Sequence, residues 1–241
     1  MASILATNSG PNTLLTYQAI DSENEIRAIS NDGYFGYLKD SMMAEAKATM
    51  EIGVGRLPVS TVDEAQAMVN KIEEYICSSQ QESWRRELLF MADNVDDNPH
   101  IKDADAVAAP LAEQVPDYIL HKIYLDAYPK VITSSSESCP MAQNQLENYL
   151  QNGILMLNYS GHGGYNAVTS ESMITINSVR KMTNSQWPLW FFATCSFAHF
   201  DSGKKCAAEE AVLNPEGANL DLCDQRVKLP MQGTIESLNV S

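Results

Sequence analysis

Two segments of the chain are apolar almost throughout: Ile154-Leu155-Met156-Leu157-Asn158-Tyr159 and Leu189-Trp190-Phe191-Phe192-Ala193-Thr194. A strand reads this way, rather than alternating, when both of its faces are covered, so the two runs are expected as central strands of a parallel α/β sheet. Each run also ends in reactive side chains. The first continues into Ser160-Gly161-His162-Gly163-Gly164 and the second into Cys195. Sites in open α/β sheets lie beyond the carboxyl ends of the strands, where loops rise from a rigid floor. His162 and Cys195 are therefore expected at one sheet edge, on strands about 4.8 Å apart if they are neighbours.

The rest of the chain supports such a sheet from Ile52 to Asn214. Thr61 with Glu64 predicts a capping box, followed by the apolar stripe Ala65, Met68, Val69, Ile72 and Ile76. Leu88–Ala92 is the next strand, leading into the acidic loop Asp93–Asp97. Val107, Leu111 and Val115 predict a helix before Pro116, and His121–Leu125 another strand. Pro129–Pro140 reads as loop. A helix through Leu146, Tyr149 and Leu150 follows, with Gly153 placed to cap it. Ile174–Thr183 is expected to be helical, and Ala207–Leu213 to form a short helix. Before Glu51 and after Ala218 the alternation stops. This divides the chain into a leading segment over 1–50, a main unit over 51–218 and a tail over 219–241.

Composition removes some functions. A formal charge of −15 over 241 residues argues against a nucleic-acid partner, which needs a basic face. The five cysteines, Cys77, Cys139, Cys195, Cys206 and Cys223, form no CxxC pair and suggest neither a zinc knuckle nor a disulfide framework. There is no run of about 18 apolar residues to span a membrane. Met1 to Pro11 is too polar for a secretory signal, so a cytoplasmic chain or one lacking its natural beginning is expected.

A free thiol has a pKa near 8.5, and a neighbouring imidazole favours the reactive thiolate. With Cys195 as nucleophile and His162 as base, the glycines around His162 let the backbone approach a substrate, and the Gly163 amide can stabilise an oxyanion. Simpler readings stand beside this one. Cys195 by itself can be a small buried hydrophobe, and the glycine-rich loop a tight turn or anion nest. Asp93, Asp96 and Asp97 offer oxygens to calcium without EF-hand spacing. His199 with Cys206 lacks a second metal-ligand spacing. His100 and His121 read as surface or core histidines.

The segments Asn158-Tyr159-Ser160-Gly161-His162-Gly163-Gly164 and Ala193-Thr194-Cys195 resemble the His and Cys motifs of the gingipain family of cysteine peptidases. Asp32-Gly33-Tyr34-Phe35-Gly36, Ile52-Gly53-Val54-Gly55-Arg56-Leu57-Pro58-Val59 and Glu209-Glu210-Ala211-Val212-Leu213-Asn214-Pro215 agree with it. The run from Thr175 to Asn184, with Trp187-Pro188-Leu189, is most similar to the sortase branch of the family, which serves type IX secretion. The resemblance implies a caspase-like fold with a mostly parallel sheet flanked by helices. It implies a peptidase–transpeptidase on the outer face of the outer membrane that removes the C-terminal secretion signal of cargo proteins. Its partners would be those cargo domains and other secretion components, with no cofactor required.

On the same grounds Cys195 would be the nucleophile, His162 the general acid–base and either Asp93 or Asn94 the group that orients the histidine. Glu171 would stand at the substrate rim, behind Val168 where the family is expected to carry tryptophan. The resemblance starts well inside the family's domain, so an N-terminally truncated sheet is expected. Leu222–Ser241 instead resembles the last motif of SpoU-type RNA 2′-O-ribose methyltransferases, and such a tail should lie loosely on the surface. A catalytically inactive fragment or binding module of the same fold is the alternative to an enzyme, and an RNA methyltransferase rests on the tail alone.

Overall fold

The computed structural model describes residues 4–6, 15–17, 32–38, 50–77, 82–94, 97–134, 136–200 and 203–224. An antiparallel pair, β1 (Ile4–Ala6) and β2 (Leu15–Tyr17), comes first, and α1 (Val62–Cys77) leads into β3 (Glu87–Ala92). Next come α2 (Pro99–Gln114), β4 (Ile119–Tyr124), the hairpin β5 (Val131–Ile132) with β6 (Glu137–Ser138), and α3 (Pro140–Asn152). Then β7 (Met156–Ser160) precedes an antiparallel patch of β8 (Gly163–Gly164), β9 (Ala167–Val168) and β10 (Ile174–Thr175). The single turn α4 (Ile176–Val179), β11 (Leu189–Ala193), α5 (Ala207–Leu213) and β12 (Asp221–Asp224) complete the order.

Five strands form the central sheet in the order β12-β11-β7-β3-β4, every neighbour parallel. Parallel neighbours require crossovers, and the helices supply them. Alternate side chains of β3 divide between the two faces, as a pleated strand demands. Leu89 and Met91 join Leu157, Tyr159, Trp190 and Phe192 in the main core, closed by Ala142, Leu146 and Leu150 of α3 and Ala207, Ala208 and Ala211 of α5. Leu88 and Phe90 face the opposite way and pack with Ala108, Val107 and Leu111 of α2. The expected α/β architecture with a mostly parallel sheet flanked by helices is the one observed. Cover on the second face is uneven: Leu88 to Ala92 are all buried, whereas Phe191 of β11 is 38% exposed.

Several boundaries differ from the sequence reading. The capping box at α1 forms as expected, with Glu64 N–H donating to Thr61 Oγ1 and Thr61 N–H to Glu64 Oε2, both at 3.2 Å. Its stripe is shifted, however. Met68 and Lys71 are buried while Val69 and Ile76 are exposed, because α1 lays a narrow face on α5. Gly153 ends α3 at a φ of 89°, as its position suggested. Pro129–Pro140, read as loop, contains the β5–β6 hairpin.

Ile174–Thr183 is not a helix beyond one turn. Thr175 opens that turn, its Oγ1 accepting from Ser178 N–H at 3.0 Å. The carbonyls that would continue a helix are taken by a side chain: Asn214 Nδ2 donates to Val179 O at 2.8 Å and Met182 O at 3.0 Å. Gly217 also lies so close to Met182 that an added Cβ would meet the Met182 carbonyl at 2.5 Å. Buried asparagine contacts 32 to 35 residues away thus replace local helical bonds.

The sheet runs past the boundary expected at 218. Asp221, Leu222, Cys223 and Asp224 pair in parallel with Leu189, Trp190, Phe191 and Phe192, so the start of the segment expected to lie loosely is the edge strand. Its remainder, from 225 onward, lies outside the described residues. The leading segment is likewise tied in: Glu51 N–H and Ile52 N–H both donate to Gly36 O, at 2.9 and 3.3 Å.

Lys71 secures the turn that carries the chain from α5 into β12. It is 3% exposed, and its Nζ donates to the carbonyls of Val212 at 3.2 Å, Asn214 at 2.8 Å and Gly217 at 3.1 Å. Three donors meet three carbonyls at the C-terminal end of α5, where a helix dipole favours a cation. Burial nevertheless pushes the Lys71 pKa down from 10.5 to about 7. Below pH 7 both folded and unfolded chains hold this proton, and the cost of burying the ammonium is fully present. Between about 7 and 10.5 the unfolded chain holds a proton that the folded one has released, so stability rises with pH there. Replacing Lys71 by Met should remove that component of the rise, and should lower stability at neutral pH because three carbonyls lose their donor, at about 1–3 kcal/mol for each left unsatisfied. Urea melts of the two chains from pH 6.5 to 10 measure both effects.

Candidate active site

The ladder brings three strand ends level. Ala92 pairs with Ser160, and Ser160 with Ala193. Bonding continues one step further, with Asp93 N–H donating to Ser160 O at 3.1 Å and Gly161 N–H to Ala193 O at 3.2 Å. Counting on from there, Asn94, His162 and Cys195 each stand two positions beyond paired residues on three adjacent strands. The structure thus brings the two residues singled out in the sequence to one edge, as their positions suggested.

His162 is fixed through its main chain. Its N–H donates to Asp93 Oδ2 at 3.3 Å, while its carbonyl accepts from the Tyr159 hydroxyl at 2.6 Å and from Thr169 N–H at 3.0 Å. Asp93 is fully buried, and its other oxygen accepts from Asn94 N–H at 2.8 Å. Burial, with the Asp93 charge adding to it, raises the Tyr159 pKa well above the usual phenol range, so the hydroxyl remains a donor. Gly161 is required between them, since a Cβ there would meet the Tyr159 hydroxyl and come within 2.6 Å of Asp93 Cβ. The His162 ring itself is exposed, and the His100 ring stands edge-on to it with centroids 5.1 Å apart and planes at 86°.

Cys195 is also exposed, unlike the buried Cys139 and Cys206. The reading of Cys195 as a small buried hydrophobe is thereby removed. It follows buried Thr194 and precedes Ser196, whose φ of 54° lies in the left-handed region, so the chain turns sharply at the thiol. Gly163 packs directly against this turn. A Cβ on Gly163 would collide with the Thr194 hydroxyl and lie 3.2 Å from Thr194 Cγ2 and 3.3 Å from the Cys195 carbonyl. The His loop and the Cys loop therefore touch through a glycine.

Other sequence-derived candidates fall elsewhere. Glu171, expected at the substrate rim, is 1% exposed and forms an ion pair with Lys130, which also lies 3.6 Å from Glu137 of β6. The Glu171 hydrogen bond raises the Lys130 pKa. This carboxylate ties the loop after β9 to the β5–β6 hairpin and is not on a rim. Val168 is buried in the main core. Of the acidic loop, Asp93 spends both oxygens on backbone amides, Asp97 is exposed with a φ of 62°, and Asp96 lies outside the described residues. Among the described residues no three His, Cys, Asp or Glu side chains converge as a metal site.

His199 stacks on Tyr165 with centroids 4.8 Å apart, whereas Cys206 caps α5, its N–H donating to Glu209 Oε2 at 2.8 Å. Burial pushes the Cys206 thiol up to about 12. His121 joins Glu87 at 2.5 Å and Tyr149 at 3.2 Å, a structural tie between β4, β3 and α3. The motif segments read at Asp32 and Arg56 meet as a bidentate pair, Arg56 Nε and Nη2 donating to the Asp32 carboxylate at 2.5 and 2.6 Å. The same guanidinium lies 4.7 Å over Phe200, five residues after Cys195.

Sequence reasoning missed three residues around the pair. The role of Tyr159 was hidden by its place in an apolar run, and Thr194 matters through volume alone. His100 follows Asn98-Pro99, a helix-start signal that could have placed it beside the acidic loop. A Gly163→Ala chain should lose stability by about 1–3 kcal/mol, as overpacking does. Adding Thr194→Ala to it should restore much of the loss, because the clashing hydroxyl and methyl are gone; thermal melts of the single and double variants test this.

The chain matches peptidase family C25 over residues 3–232, through the first part of the stretch that resembles a methyltransferase motif. No curated protein matches it. Among solved structures it is similar to the Arg-specific cysteine proteinase gingipain R (RgpB), with a TM-score of 0.56 at 19% identity, covering 79% of this chain and 42% of that one. The complex of the Porphyromonas gingivalis RgpB pro- and mature domains gives 0.56 at 18% identity, covering 79% and 43%. A structure described as a protease gives 0.55 at 16%, covering 81% and 40%. The chain thus spans about two fifths of the length of these structures and shares their fold. With the family matched along nearly its whole length, the chain belongs to peptidase family C25, the gingipain family.

Proposed function

We propose that this chain carries the catalytic centre of a cysteine peptidase in which Cys195 is the nucleophile and His162 the general acid–base. The observation that carries the reading is the pairing of two exposed side chains, Cys195 and His162, in one row at the carboxyl edge, with Gly163 packed between their loops. In the proposed reaction the Cys195 thiolate attacks a peptide carbonyl, and His162 takes the thiol proton and returns it to the leaving amine. The Gly163 amide stabilises the tetrahedral oxyanion, and the resulting thioester is resolved by water or by an incoming amine. Nucleophile, base and donor all come from the chain, so no cofactor enters.

Asp93 supports His162 through its backbone amide. Asn94 stands in the same row as His162 and Cys195, and its Oδ1 is buried without a hydrogen-bond partner. Of the two candidates for orienting the imidazole, Asn94 is the one with an acceptor to spare.

Within the family the reading extends to a PorU-like sortase, supported by the run from Thr175 to Asn184 with Trp187-Pro188-Leu189. Such an enzyme works at the cell surface on the C-terminal signal domains of type IX cargo and accepts an amine in place of water. Peptidyl alkylating reagents should label Cys195 in preference to the other cysteines, and His162→Ala should slow labelling by about two to four orders of magnitude, the range of a lost acid–base group. Equal labelling of all cysteines would instead favour a binding module of the same fold. For the sortase step, incubation with a cargo signal domain and an added amine should yield a shortened protein carrying the amine at its new carboxyl end. Release of the free acid alone would leave a plain peptidase.

A further inference from the structure

We infer that His100 is a positioning residue for His162, holding the imidazole at the orientation in which it meets the Cys195 thiol. This rests on the proposal that Cys195 and His162 act as a pair. His162 is clamped at its amide by Asp93 and at its carbonyl by Tyr159 and Thr169. Its exposed ring is met by that of His100, edge-on at 5.1 Å and 86°. That is the geometry in which aromatic rings attract one another.

The His100 backbone is itself rigid. It is the second residue of the 16-residue helix α2, entered through Pro99; Ala104 and Ala108 of that helix are buried, Ala108 against Leu88 and Phe90 of the sheet. Proline at the first helical position is preorganised for the turn. Among the described residues, the titratable Asp93 and Tyr159 bond the His162 backbone, and Cys195 stands across the row. Lys102 and Asp103, on the same turns of α2 as His100, are exposed to solvent.

The test is the pH dependence of iodoacetamide alkylation at Cys195, followed by peptide mass, in the wild-type chain, His100→Ala, His100→Phe and His162→Ala, with thermal melts as a control on folding. An imidazole-paired thiol reacts below the ordinary thiol pKa. In His100→Ala the rate near pH 6 should fall about three- to tenfold, the scale of a lost aromatic pair, with little change above pH 9. His100→Phe restores a ring at the same place and should recover most of the rate. Two results would overturn the inference: an unchanged low-pH rate in His100→Ala while His162→Ala abolishes it, or His100→Phe as slow as His100→Ala. If wild-type Cys195 reacts no faster than exposed Cys77 and is indifferent to His162, the catalytic pair fails, and the role of His100 falls with it.

Discussion

Everything at the candidate site depends on the register of three parallel strands. Ala92, Ser160 and Ala193 are level, and the next backbone bonds keep Asp93, Gly161 and Thr194 level as well. A slip of one residue in any of these strands would turn its buried side chains to the opposite face. Leu89, Met91, Leu157, Tyr159, Trp190 and Phe192 would all leave the main core, so the hydrophobic effect enforces the register. The chemistry inherits that precision without adding to it. His162 and Cys195 lie opposite one another because the core beneath them packs in one way.

Above that floor, position is held by buried polar groups serving backbone atoms. Asp93 holds two amides, Tyr159 a carbonyl, Asn214 two carbonyls and Lys71 three. Irregular chain can be buried only if its backbone groups find partners, and a short polar side chain from a distant element is the compact way to supply them. The His loop, the α4 turn and the passage from α5 into β12 all use this device. Close approach by glycine is its counterpart: Gly161, Gly163 and Gly217 stand where a methyl group would strike a neighbour. The chain belongs to peptidase family C25, and in it these loops bring a histidine and a cysteine to one row.

Much of this was legible beforehand, and the exceptions share a cause. The central strands, α5, the capping box at Thr61 and Glu64 and the cap at Gly153 rest on local signals, namely apolar runs, side chains bonding their own backbone, and a glycine at positive φ. The α1 stripe was misplaced because buried Lys71 reads as polar, while exposed Val69 and Ile76 read as apolar. The segment after Thr175 has helical periodicity, but Asn214 and Gly217 outbid the helix from the far end of the fold. Glu171 was expected at the substrate rim, but it is buried in an ion pair with Lys130, a residue remote in the chain.

By itself, then, the sequence determined the parallel sheet and that His162 and Cys195 stand at the ends of two of its strands, since apolar runs and the residues ending them are properties of a few consecutive positions. Tertiary structure alone decided that Asp93 serves the His162 amide, that Thr194 makes Gly163 obligatory and that His100 meets the imidazole. It also decided that residues 221–224 close the sheet edge. Each of these is a meeting between elements remote in the chain, set by register and packing, and the residues concerned carry no local mark of the partner they will find.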